Sequence, residues 1–161
     1  MSTDVQQEIL NAFVEDCEII VEKAAALLEE IDLGDRDSEA FAEFGGLVDG
    51  IMGCAKTMGL DTMENLRPLL NLISQLTEGC KALGYKAASI QDEERRGIVS
   101  GFLADSLEFV SAALRDLKKG YVSLNMDQAR KVIERLTWIV GRMELSPEEQ
   151  RELLKRFGLK A

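Results

Sequence analysis

The sequence predicts an all-α protein, and three observations predict it. Apolar residues recur at three- and four-residue spacing along most of the chain, the period of a helix with one buried face. No run alternates apolar and polar residues as a half-buried strand does, and no hairpin turn separates two such runs. Capping residues, Pro147, and Gly34, Gly59, Gly84, Gly120 and Gly158 fall between the periodic stretches, where helices stop and start. Four long stretches with short connections are expected to form an antiparallel up-down four-helix bundle over residues 1–120. Residues 121–161 then add two further helices, an extension that packs on the bundle or on a partner.

In chain order, Thr3 with Gln6 reads as a capping box. The first helix keeps Leu10, Phe13, Val14, Cys17, Ile20, Ala24, Leu27, Leu28 and Ile31 in phase and ends near Leu33 and Gly34. Asp37 or Ser38 caps a second helix, which Gly59 is expected to stop. Asp61 and Glu64 make another box, and Pro68 requires either a kink or a start near Arg67. The third helix turns Leu66, Leu69, Leu70, Ile73, Leu76, Cys80 and Leu83 inward, with Gly84 beyond its end. Ser89 and Asp92 precede a fourth helix from about Ile90 to Lys119, closed by Gly120. Asn125 with Gln128 opens a fifth helix running on to Leu145. Ser146, Pro147 and Glu149 open the last, which ends at Phe157 and Gly158.

The second helix is unusual. Phe41, Phe44, Val48, Ile51, Ala55 and Met58 form its buried stripe, while the opposite side collects Ala42, Gly46, Asp49, Gly50, Gly53 and Thr57. Each interior glycine costs about 1 kcal/mol relative to alanine, so Gly45, Gly46, Gly50 and Gly53 need a compensating role. Close backbone approach is the usual one. The approaching surface is either another molecule or a neighbouring helix of the same chain.

Composition narrows the chemistry. The 161 residues suffice for one core, and a net charge of −10 repels a phosphate backbone. No nucleic-acid partner is expected. The N-terminus has no signal-peptide pattern, and no apolar run is read as long enough to span a membrane, so a cytoplasmic protein is expected. Cys17, Cys54 and Cys80 show no metal-ligand spacing and read as reduced core thiols. The chain has no histidine, which removes the usual general base and the commonest transition-metal ligand. No cofactor is expected.

Residues 48–60, VDGIMGCAKTMGL, resemble the signature helix of histidine phosphotransfer domains, whose pattern is H-x-L-K-G-x-x-x-x-[LM]-G. Asp49 stands at the phospho-accepting histidine, Ile51 at the leucine, Met52 at the lysine, Gly53 at the glycine, and Met58 and Gly59 at the end. The resemblance covers roughly residues 5–119. It implies a surface made of Ala42, Gly45, Gly46, Asp49, Gly50, Met52, Gly53, Lys56 and Thr57 that accepts the receiver domain of a response regulator or a kinase. It also implies a departure: Asp49 has no imidazole nitrogen to carry phosphate, and Met52 brings no charge. The expected function is a non-catalytic, pseudo-phosphotransfer adaptor in bacterial two-component or chemotaxis-like signalling.

Asp49 has three readings: a solvated helix residue, a ligand to a receiver's divalent cation, or a weak imitation of phosphohistidine. Two competing functions remain. One is a homodimeric helical protein whose self-interface is the glycine-rich face or the C-terminal helices, where Trp138 is either an exposed interface anchor or buried against the bundle. The other is a phosphatase of aspartyl phosphate, resting on the E-x-x-N spacing of Glu8 and Asn11 and the E-x-x-T spacing of Glu134 and Thr137.

Overall fold

The apolar stripes fold as helices α1 (Thr3–Asp32), α2 (Ala40–Asp61), α3 (Arg67–Ala87), α4 (Glu93–Lys119), α5 (Met126–Glu134), α6 (Leu136–Val140) and α7 (Pro147–Arg156). A 3-10 turn, Glu64–Leu66, leads into α3. The computed structural model describes the backbone of residues 3–61 and 64–159; the side chains of residues 3, 4 and 59–61 lie outside that description. Among the described residues there is no strand. The boxes expected at Thr3 and at Asp61 rest on residues outside the description.

Helix α2 packs on α1 and most extensively on α3, and α4 packs on both α1 and α3. Their shared core holds Phe41, Phe44, Leu69, Leu70, Leu103 and Leu114. The α2–α3 crossing is close because both helices lack a side chain there. A Cβ on Gly84 would stand 2.6 Å from the Phe41 carbonyl oxygen, and one on Gly45 would stand 3.1 Å from that of Lys81. Two sequence expectations are corrected here. Helix α3 does not end before Gly84 but runs through it to Ala87, and α2 runs past Gly59 to Asp61. Pro68 sits harmlessly in the first turn of α3, where its missing N–H would have had no partner.

Helix α4 starts one turn later than expected. The Asp92 side chain accepts the Glu94 N–H at 2.9 Å, and Gly120 (φ +86°) closes the far end by donating to the Asp116 and Leu117 carbonyls. By length and apolar composition α4 could cross a membrane, contrary to the sequence expectation, yet half of that apolar window is buried inside the fold.

Both buried contacts and surface ion pairs, such as Lys86 with Glu149 and Arg95 with Glu144, tie residues 121–159 to the long helices. Asp116, buried in α4, accepts the Ser123 hydroxyl and N–H at 2.6 Å each and the Leu124 N–H at 2.8 Å. Burial pushes its carboxyl up, and these three bonds, with Lys119 nearby, more than reverse that, so it lies below the usual carboxylate range. Phe157, fully buried, fills the space that the missing side chain of Gly79 leaves, with its ring edge-to-face on Phe102 at 5.6 Å. The Gln75 amide donates to the Phe157 carbonyl at 2.5 Å.

The helix expected to run on to Leu145 is broken at Arg135 into α5 and α6, and α6 ends at Val140. This stretch is rich in β-branched residues, Val132, Ile133, Thr137, Ile139 and Val140, which hold a helix weakly. Helix α7 begins as the sequence indicates, with Ser146 and Glu149 exchanging both bonds of a capping box.

Candidate functional site

The outer surface of α2 has three strips. In the middle, Gly46 and Gly53 are exposed, and a Cβ on either would meet no atom within 4 Å. On the α1 side, a Cβ on Gly50 would stand 3.4 Å from Ile20 Cδ1, so this glycine is only partly open. On the α3 side lie Ala42, Asp49, Met52 and Lys56. Gly45 does not belong to the surface: it is buried against α3 and the ring of Tyr85. The sequence expectation that it lines the docking face is therefore corrected.

Asp49 is engaged. Its Oδ1 accepts from Lys81 Nζ of α3 at 2.8 Å, with the two side chains 46% and 32% exposed. The bond to the carboxylate holds the Lys81 ammonium above its ordinary value against the effect of partial burial. Thus a cation does stand beside the signature position, although Met52 supplies none. Lys56 continues the pattern two turns on. It pairs with Glu78 of α3 at 3.3 Å, and Glu78 also meets Arg156 of α7 at 3.5 Å. Thr57 turns inward to its own helix, donating to the Gly53 carbonyl at 3.1 Å. A cleft of about 230 Å³ opens beside these pairs, lined by Met52, Lys81, Ala82, Tyr85 and Leu153 among others.

Lys81, Glu78, Tyr85 and Arg156 were not among the residues singled out from the sequence. Their only signal is a helix phase turned away from the core stripes of α3 and α7, and that phase does not say which neighbouring helix they meet.

The cysteines divide. Cys17 and Cys80 are buried as expected, and burial pushes both thiols up to about 12. Cys54 is exposed, which corrects its placement in the core; it lies three residues beyond the core position Ile51, turned toward the α1 edge. Trp138 is 54% exposed, with the Arg142 guanidinium carbon 3.9 Å from its ring centroid. Of the phosphatase-like spacings, Glu134 closes α5 and Thr137 lies in α6, both exposed. Asn11 accepts from the Gln7 amide at 2.9 Å.

The chain matches no protein-family model, and no curated protein or solved structure matches it significantly.

Proposed function

We propose that α1–α4 form an antiparallel up-down four-helix bundle like that of histidine phosphotransfer domains, with residues 121–159 packed on it as an extension. The whole acts as a non-catalytic adaptor that binds a receiver domain or a kinase through the outer face of α2. The ring of neighbours α1–α2–α3–α4–α1 is the arrangement such a bundle requires. The observation that carries the functional reading is the open backbone at Gly46 and Gly53 on either side of Asp49. Glycines that serve no packing inside the chain keep a helix surface low enough for another backbone to reach it.

Lys81 strengthens the reading. A bare carboxylate facing the acidic pocket of a receiver would be repelled. Paired with Lys81, Asp49 presents a neutral couple whose ammonium can turn to an acidic partner.

The test is binding to a panel of purified receiver domains, each with and without beryllofluoride. At least one receiver is expected to bind the native protein, and Gly53→Gln is expected to weaken that binding more than about 30-fold, the size of a hot-spot loss. No radiolabelled phosphate should transfer to the adaptor, since the chain has no histidine. Absence of binding to every receiver, or equal binding by Gly53→Gln, would overturn the reading.

A further inference from the structure

We propose that Cys17 of α1 and Cys54 of α2 are a reversible thiol–disulfide pair, a clasp between the two helices that closes on reaction with a small-molecule disulfide. The inference does not depend on what docks at the glycine face.

The register carries it. The chain reverses between α1 and α2, with Arg36 in the turn reaching Glu30 on one side and Glu43 on the other. Further along, Ile20 meets the Gly50 position. In an antiparallel pair, three residues back along α1 and four residues forward along α2 lead in the same direction by about one turn. Those steps arrive at Cys17 and Cys54. Steps of three and four also preserve the helix face, so each cysteine lies on the side by which Ile20 and Gly50 meet. An independent sign of proximity is electrostatic: Cys54 is among the groups whose charge raises the Cys17 thiol, after burial itself. A disulfide requires Cα atoms about 4.4–6.8 Å apart. At Gly50 an added Cβ would already stand in ordinary contact with Ile20 Cδ1, at 3.4 Å, so α1 and α2 pack side by side at this level.

Exposure assigns the order of events. Cys54 is open to solvent and Cys17 is buried, so the Cys54 thiolate attacks the oxidant RSSR, forming a Cys54–SR mixed disulfide and releasing one RS⁻. Cys17 then loses its proton and attacks the Cys54 sulfur, releasing the second RS⁻. Two thiols are oxidised to one disulfide, RSSR is reduced to two RSH, and the protons from the cysteines end on the released thiols. Because the buried Cys17 gives up its proton reluctantly, the second step is the slower.

The experiment treats the full-length protein in native buffer with oxidised glutathione and follows intact mass. The three cysteines fall in separate tryptic peptides, 1–23, 37–56 and 57–81, so any link is assigned directly. The expected product is lighter by about 2 Da, joins 1–23 to 37–56 within one chain, and reverts with dithiothreitol. Cys17→Ser should stop at an adduct heavier by about 305 Da on 37–56. Cys54→Ser, changed at an exposed position and so safe for folding, should not lose mass. A native protein that stops at the adduct overturns the proposal. So does a link through 57–81, a link between two copies, or a mass loss in Cys54→Ser.

Discussion

Toward α3, the glycines of this protein bring two backbones together: Gly45 and Gly84 face each other's helices with carbonyl oxygens 3.1 and 2.6 Å from where a Cβ would stand. On the outer side of α2, Gly46 and Gly53 have nothing within 4 Å. The two groups are indistinguishable by composition, and Gly45 and Gly46 are neighbours in the chain. Only the partner helix separates them, so a glycine's meaning is set by what approaches it. The inward set has its compensation inside the fold, in close packing. The outward set has none there, and its helix-propensity penalty of about 1 kcal/mol per glycine is left for a function to explain.

The contrast breaks most visibly at a third inward glycine. Gly79→Ala would place a methyl group in the space of the Phe157 ring, expelling it and forfeiting its burial and its contact with Phe102. A loss of about 3 kcal/mol is expected, read as a thermal midpoint lower by about 6–12 °C. An unchanged midpoint would mean that Phe157 does not sit there. Gly84→Ala comes next. The conflict is with the Phe41 carbonyl, a backbone atom that cannot swing away, and overpacking of this kind costs about 2 kcal/mol; chemical denaturation should show a lower midpoint with the same slope.

On the outer face the sign reverses. Gly53→Gln and Gly46→Gln should each raise stability by several tenths of a kcal/mol, because the propensity penalty is removed and nothing is displaced. A clear loss in either would sharpen the comparison against us, by showing an unrecognised neighbour. The smallest effect belongs to Asp49→Asn. It removes the charge from a half-exposed pair with Lys81, and such pairs are screened, so the melting curve should superimpose on that of the native protein at moderate salt.

Much of this was legible in the residues. The long helices follow from uninterrupted apolar stripes, and the start of α7 from Ser146, because a cap is local chemistry that needs no tertiary knowledge; α4 starts a turn later than Ile90 because Asp92, not Ser89, is its cap. The break at Arg135 was not legible, since Val132, Ile133, Leu136, Ile139 and Val140 keep one helical phase straight through it. Nor was the role of Gly84, which resembles a helix end until α2 is placed against it. At the candidate site, the open positions of Gly46 and Gly53 came from phase alone. Lys81 did not, because the pair spans 32 residues of sequence and depends on the rotation of α3 about its axis.

Phe157 has a further consequence, for the order in which the molecule assembles. Contacts among α1, α2, α3 and α4 mostly join helices adjacent in the chain, which meet after short loops close. The Phe157 carbonyl instead meets Gln75 across 82 residues, and contacts of such separation carry the larger loop-closure entropy and form late. The hole beside Gly79 therefore stays open, apolar and sticky, until the far end of the chain arrives to fill it. Helix α7 also packs less extensively on its neighbours than the long helices do on one another, which makes it the part expected to open first. Amide exchange in the native state should find the protons of α7 released before those of α3, in a sub-global opening that leaves the four long helices assembled.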